Sequence, residues 1–227
     1  MLTAGIVVLV IVVLAALAYW ELVIAEGVHL GPRIVTWLYD ITAKRYNRIK
    51  QFDPGYEAWF LGEPLAQTLS HIPEPLVLDV ATGTGRLPIT LLKQRGFHGR
   101  VIGLDSSRAM LAQAARSTQA LVERLALVQQ EVSCLPFEDN TFDAVTCLEA
   151  LEFFPNTRQA LQEIMRVLRP GGVLLATNRV GFWARFLPGH TQSRPAFEAR
   201  LASLGMTGIN TQTWQVEYDL VWAFKRS

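Results

Sequence analysis

The segment Leu76-Val77-Leu78-Asp79-Val80-Ala81-Thr82-Gly83-Thr84-Gly85-Arg86-Leu87 sets the tightest limit on how this chain can fold. A short apolar run ends on a Gly-rich turn and a helix-forming stretch follows at once, so the segment reads as strand, tight turn and helix. Glycine at 83 and 85 lets backbone approach a bound molecule with no Cβ in the way, at the positive end of a helix. The rest of the chain supplies the sheet such a unit needs. Leu76 to Val80, Val101 to Leu104, Ala126 to Gln129, Ala144 to Leu148 and Gly172 to Thr177 are short, apolar and β-branched, with helical patterns at Leu87 to Arg95, Arg108 to Glu123 and Arg158 to Leu168 between them. Strand, helix and strand in succession predict crossovers and a parallel sheet covered on both faces, a doubly wound α/β fold. From Gly208 to Lys225, Trp214, Val216, Tyr218, Leu220, Trp222 and Phe224 alternate, which predicts a closing antiparallel hairpin.

Local signals mark the boundaries. Ser107 can cap a helix opening at Arg108, and Asn156 with Gln159 has capping-box spacing before the helix that runs to Leu168. Arg169-Pro170-Gly171-Gly172 stops that helix and turns the chain into the next strand.

The 21 Lys+Arg and 20 Asp+Glu leave a net charge of +1, which argues against a nucleic-acid binder working through bulk charge. Half of the 227 residues are hydrophobic and only 18% are charged, with a mean hydropathy of +0.22, and the excess lies at the start. From Leu2 to Ile24 only Thr3, Gly5 and Glu21 interrupt an apolar run. At about 1.5 Å per residue it can cross a hydrocarbon core of roughly 30 Å. Tyr19 and Trp20 fall where an aromatic belt would lie. Ala16-Leu17-Ala18 would suit signal cleavage, but no Lys or Arg precedes the run and the run continues past that site. Arg33, Lys44, Arg45, Arg48 and Lys50 follow it, against Asp40 alone, so the positive-inside rule predicts an uncleaved single-pass anchor with the following domain cytoplasmic. The same cluster reads equally as a solvated helix face or as a lipid contact. The expected organisation is an anchor over 1–24, a juxtamembrane and cap segment over 25–50, and a catalytic domain over 51–227.

Cys134 and Cys147 make neither a disulfide framework nor a zinc site and are expected in the core. His29, His71, His98 and His190 are scattered, so no metal is implied.

The Gly-rich loop departs from a dinucleotide-binding fingerprint, because Pro88 stands at the third glycine position. Asp79, four residues before Gly83, is awkward beside a pyrophosphate and suits a cationic ligand, such as the sulfonium and ammonium of S-adenosylmethionine. Further motifs follow in order. Gly103-Leu104-Asp105-Ser106-Ser107 ends the second strand in a carboxylate that can accept ribose hydroxyls. Glu131-Val132-Ser133-Cys134-Leu135-Pro136-Phe137-Glu138-Asp139-Asn140-Thr141-Phe142-Asp143 comes next, and Tyr39-Asp40-Ile41-Thr42-Ala43-Lys44-Arg45-Tyr46 precedes them all.

With these motifs the chain resembles the class I S-adenosylmethionine-dependent methyltransferases, in particular the branch of ubiquinone and menaquinone methyltransferases, over roughly residues 39–179. The resemblance implies a Rossmann-like, mostly parallel seven-stranded sheet with a C-terminal antiparallel hairpin, here preceded by a transmembrane helix. It implies S-adenosyl-L-methionine as cofactor, with contacts at Tyr46, Asp79, Ala81, Gly83, Gly85, Asp105, Ser106, Glu131, Val132 and Leu148. Glu131 takes the family's adenine-binding acidic position with one extra methylene, Val132 offers its N–H to the ring, and Tyr46 is the expected aromatic lid. After the fourth strand, Glu149 and Glu152 replace the aromatic or His-rich segment common in relatives, and Glu149 is the catalytic candidate. Methyl transfer also proceeds by alignment alone. The expected function is a membrane-anchored methyltransferase acting on a small lipophilic acceptor, a quinone precursor or lipid. A nicotinamide-dependent reductase and a membrane-tethered S-adenosylmethionine-binding module without turnover are the alternatives. Phe182, Trp183 and Phe186, beyond the fifth strand, suit either a lid dipping into the bilayer interface or a helix packed on the sheet.

Overall fold

The computed structural model describes residues 2–227; Met1, the first residue of the expected anchor, lies outside the described residues. Helix α1 (Leu2–Tyr19) continues as a π-helical turn over Trp20–Ile24. Together they form one helix long and apolar enough to cross a membrane, over Thr3–Ile24. Its side chains are exposed from Ile6 to Leu17, so no packing against the rest of the chain accounts for its apolarity.

Gly27 (φ 77°) and Gly31 (φ 94°) then break the chain direction, and Pro32 opens α2 (Pro32–Thr42) at the position where its missing N–H costs nothing. The short helices α3 (Tyr46–Lys50), α4 (Pro54–Glu57) and α5 (Glu63–Thr68) follow. The sheet comprises β1 (Leu76–Val80), β2 (Arg100–Asp105), β3 (Leu125–Gln129), β4 (Phe142–Cys147), β5 (Leu168–Arg179), β6 (Met206–Gln215) and β7 (Tyr218–Lys225). Helices α6 (Arg86–Leu92), α7 (Arg108–Ser117), α8 (Thr157–Val167) and α9 (Arg194–Ser203) connect them.

The seven strands lie in the order β3-β2-β1-β4-β5-β7-β6. β1 to β5 are parallel and β7 enters antiparallel between β5 and β6, the doubly wound arrangement with a closing hairpin that the motif order predicts. Alternation along β1 sends Leu78 and Val80 into the layer under α8 and α9, with Val145, Ile164 and Phe197. Val77 goes to the opposite layer, with Leu61, Leu65, Leu87 and Phe97. The chain leaves β1 toward β2 and later returns to β4 on its other side, so a crevice opens at the carboxyl ends of these strands.

Several boundaries differ from expectation. The helix expected to reach Glu123 stops at Ser117, where Thr118 turns its hydroxyl back onto the Ala114 carbonyl (2.7 Å). Arg169 to Gly172 does not precede β5 but lies within it as a bulge: Leu168 pairs with Phe142, and pairing resumes at Ala144 with Val173. Ser107 caps α7 through the Met110 N–H (3.0 Å). Asn156 caps α8 (3.0 Å to the Gln159 N–H), but the Gln159 side chain reaches the Ser133 carbonyl instead, so the capping box is half formed. Cys147 is buried in β4 whereas Cys134 is exposed in a loop, against its expected place in the core.

Candidate functional site

The crevice holds a cleft of about 310 Å³ walled by the turns after β1, β2 and β4 and roofed by α2. Three loop residues, Ala81 (φ 57°), Gly83 (φ 55°) and Gly85 (φ 83°), adopt left-handed backbone. At Gly83 a Cβ would meet nothing within 4 Å, so the backbone itself faces open volume, whereas one on Gly85 would press on Thr118 at 3.2 Å. Gly83 thus lines the cleft, and Gly85 serves the approach of α7 and the start of α6.

Asp105, at the tip of β2, ties the two turns together: Oδ2 accepts from the Gly83 N–H and Oδ1 from the Ser107 N–H, each at 2.8 Å. Burial raises its pKa, and these donors pull it back. From above, Asp40 on α2 accepts from the Ser107 hydroxyl (2.6 Å) and the Ala109 N–H (3.2 Å), while the Thr36 and Ser106 hydroxyls meet at 3.3 Å. Val35 and Tyr39 from α2, Tyr46 from α3, and Phe153 and Phe154 after β4 complete an aromatic and apolar wall. Tyr39 donates to Glu26 (2.7 Å). Phe153 also packs against the cluster of Ala25, Val28 and Leu187 beneath Trp20, which makes apolar contact continuous from the cleft to the foot of α1. Beside that cluster Phe182, Trp183 and Phe186 meet edge to face or tilted, 5.3–5.7 Å between centroids, and are exposed to solvent.

A smaller cavity, about 40 Å³, adjoins the cleft past Tyr46, Gly83 and Glu149. Asp79 lines it, buried, accepting the Thr146 hydroxyl (2.6 Å), with its carboxyl pushed up to about 6 by burial. Arg86 lies across from it, paired with Glu57 (Nε to Oε2, 2.8 Å) and Glu149 (Nη1 to Oε1, 2.8 Å), its guanidinium 4.2 Å from the Phe52 ring centre. Its Nη2 is buried with no hydrogen-bond partner among the described residues, an orphan donor on a residue that lines the cavity. Lys50 pairs with the other Glu149 oxygen (3.2 Å). Burial raises the Glu149 pKa, but Arg86 and Lys50 outweigh it and hold the carboxyl below its usual range. Such a group stays ionised and is a poor proton acceptor near neutrality.

Of the positions singled out from sequence, Tyr46, Ala81, Gly83, Asp105, Ser106, Glu131, Val132, Leu148 and Glu149 line the main cleft, Asp79 the adjoining cavity, and Gly85 neither. Lys50, Glu57 and Arg86 escaped notice because nothing local marks them; a lone arginine directly after the second loop glycine is the nearest thing to a signal. His29 and His190, far apart in the chain, meet edge to face at 5.7 Å, and no metal-binding group of His, Cys, Asp or Glu occurs among the described residues.

Residues 78–176 match a family described as a methyltransferase domain. The demethylmenaquinone methyltransferase of Lactiplantibacillus plantarum is 39% identical over 145 residues, 62% of this chain and 60% of that protein. That of Staphylococcus epidermidis is 35% identical over 150 residues, 66% of this chain and 59% of that protein. The chain therefore spans about three-fifths of the length of the curated relatives it matches. Among solved structures, the [4+2]-cyclase SpnF superposes with a TM-score of 0.70 at 18% identity, covering 86% of this chain and 97% of that one. An S-adenosylmethionine-dependent methyltransferase from Aquifex aeolicus does so with 0.63 at 21%, covering 82% and 97%. At such identities these likenesses bear on the fold alone, and a cyclase among them underlines that fold does not dictate reaction.

Proposed function

We propose, on the premise that this chain carries a class I S-adenosylmethionine-dependent methyltransferase domain, that it is a membrane-anchored enzyme methylating a lipophilic quinone-type acceptor. The observation that carries the reading is the cleft itself: an open glycine backbone and a half-buried carboxylate along it, opposite charges at one end, and an aromatic wall that runs to the foot of an apolar helix.

The residues fit the cofactor. Asp79 would face its ammonium, the unpartnered Arg86 Nη2 its carboxylate, Asp105 its ribose hydroxyls, and Glu131 with the Val132 N–H its adenine, while Ala81, Gly83, Ser106 and Leu148 would pack along it. The bound cofactor supplies a methyl group on a sulfonium, activated for in-line displacement. The protein's part is alignment and exclusion of water. Tyr39, Tyr46, Phe153 and Phe154 would stack on a flat ring and shield the reacting face. Glu149, held ionised, positions Arg86 and Lys50 and is assigned no proton transfer. The anchor over 1–24, the cap over 25–50 and the catalytic domain over 51–227 follow as parts of this reading, with the domain on the cytoplasmic side.

Asp79 makes the reading pH-dependent. A carboxyl raised to about 6 is protonated in the fold at mild acidity, and only its ionised form attracts a cation. Titration of S-adenosylmethionine by calorimetry is therefore expected to show affinity falling about tenfold between pH 7 and pH 5. Asp79→Asn should flatten that profile and weaken binding at pH 7. Because the folded state holds the proton more tightly than the unfolded chain, Asp79 also makes the unliganded protein less stable as pH rises from about 4 to about 6, a slope the variant should lose. An affinity independent of pH across this range would remove Asp79 from the cofactor site.

The anchor has its own test. The full chain should stay in the membrane fraction after carbonate washing, and removal of residues 1–24 should release a domain that still binds cofactor, since the cleft begins at Pro32. A mature chain starting at Tyr19 would establish a cleaved signal instead. Tethering raises the effective concentration of enzyme over bilayer-borne acceptors, so the released domain should keep its rate on a short-chain quinol and lose it on a long-chain one in vesicles. Cofactor binding with no turnover of either acceptor would favour a non-catalytic module.

A further inference from the structure

We infer that the outward face of α2 and α3 is a docking surface for an anionic bilayer, so that the helix roofing the cleft also reads the lipid beside it. The inference rests on the membrane-anchored reading above, because it takes α1 to lie in the bilayer. Arg33, Trp37, Ile41 and Lys44 recur every three or four residues along α2 and into the 3-10 turn over Ala43–Arg45, and Arg45 and Arg48 extend the exposed basic surface through that turn into α3. That side is largely open to solvent: Trp37 is 53% and Ile41 57% exposed, although Arg33 and Trp37 also border an open groove of about 580 Å³ with Gln129, Gln130, Glu131 and Ser133. The opposite side carries Val35 and Ala43, both buried, and Tyr39, which lines the cleft.

A solvated helix would place polar groups outside. Here a tryptophan and an isoleucine sit among four cations, the pattern of a helix lying in a membrane interface. Among the described residues no carboxylate pairs with Arg33, Lys44, Arg45 or Arg48. Asp40, the one acid on this segment, is turned onto Ser107 and Ala109. The occupant is specified by charge and by continuity. The face is cationic and apolar together, and the chain enters it directly from the foot of α1 through the Gly27 and Gly31 turns, with Leu30 exposed between them. An anionic leaflet meets both requirements, each interfacial cation being worth roughly fivefold in partitioning.

The consequence is a coupling. The same helix holds the floor of the cleft through the Thr36–Ser106 and Asp40–Ser107 contacts, so lipid that pins its outer side also holds the cleft closed. By linkage, a ligand bound in the cleft must then strengthen the docking.

The test uses the full chain in lipid nanodiscs of pure phosphatidylcholine or of phosphatidylcholine with one-third phosphatidylglycerol, with S-adenosylhomocysteine as the cleft probe. Amide exchange over residues 32–48 should slow by roughly threefold or more on the anionic discs, and S-adenosylhomocysteine should bind more tightly there. The triple variant R33Q/R45Q/R48Q should lose both differences while binding the probe normally in detergent, which shows that it folds. A second variant, W37S, should reduce protection on the anionic discs. Equal exchange on the two lipids by a chain that stays with the discs overturns this inference alone. A chain that leaves the discs on carbonate washing overturns the anchor reading, and this inference with it.

Discussion

Replacing Arg86 with methionine is expected to lower the unfolding free energy by about 3–5 kcal/mol, the usual cost of breaking a buried ion pair from one side. Arg86 has a side-chain exposure of 13% and serves two carboxylates buried more deeply still, Glu57 at 4% and Glu149 at 6%. Without it, Lys50 still offsets Glu149, but Glu57 pairs with no other cation among the described residues. Burial already raises the Glu57 pKa against the pull of Arg86, so the variant must protonate it or leave the charge unpaired. At roughly 2–4 °C per kcal/mol for a chain of this size, the melting temperature should fall by about 6–20 °C. The pH dependence identifies the cause. In the parent protein Glu149 has a depressed pKa, so its stabilising contribution is present above the usual carboxylate range and lost as pH falls through the depressed value. In the variant Glu57, raised by burial and relieved of Arg86, holds its proton more tightly folded than unfolded, while Glu149 loses one of the two cations that depress it. The gap between variant and parent should therefore widen from pH 4 to pH 7. Glu57→Gln added to Arg86→Met should recover part of the loss. Melting at pH 7 within about 2 °C of the parent, followed by calorimetry, would show that the cluster stabilises nothing.

That cluster also marks where sequence reading stops. The succession of elements and the fold class were legible because each element announces itself locally: apolar β-branched runs, glycine at 83, 85 and 171, proline at 170, and a capping serine at 107. The boundaries that shifted did so for reasons outside that pattern. Thr118 ends α7 by bonding back to its own helix, and the bulge in β5 exists because Leu168 already finds Phe142 before the Pro-Gly-Gly turn is made.

The site divides in the same way. Asp79, Gly83 and Asp105 stand at strand ends, where the fold delivers them to one crevice whatever the rest of the chain does. Lys50, Glu57, Arg86 and Glu149 come from four separate elements, and only tertiary packing brings their charges together. For the same reason the sequence marks Glu149 as a catalytic candidate without assigning it a role, and only the fold shows it paired with Arg86 and Lys50. The cap segment lies between these cases. Tyr39 and Tyr46 pointed to a lid, but the contacts that seat it, from Thr36 and Asp40 to Ser106 and Ser107, join residues about seventy positions apart.

Asp105→Ala is expected to weaken S-adenosylmethionine binding by about 2–4 kcal/mol, or roughly 30- to 1,000-fold. The figure has two sources. A carboxylate accepting ribose hydroxyls makes charge-assisted bonds worth about 1.5–3 kcal/mol. The same carboxylate also holds the Gly83 and Ser107 N–H groups at 2.8 Å, so its loss releases the loop that the ligand must lie against. Asp105→Asn separates the two, since it keeps one acceptor oxygen for the backbone while giving up the charge, and should fall between parent and alanine variant. The ribose assignment carries a sharper consequence. S-adenosylhomocysteine has the same ribose but no sulfonium, so Asp105→Ala must weaken both ligands by the same factor. Calorimetry with the two ligands and with NADH decides the matter. NADH also presents a ribose diol, but Asp79 opposes a pyrophosphate and Pro88, buried in α6, replaces the glycine that would let it approach, so it should not bind. Unchanged affinity of the alanine variant for S-adenosylhomocysteine would place the ribose elsewhere. Tight binding of NADH by the parent protein, with none of S-adenosylmethionine, would turn the cleft over to hydride transfer.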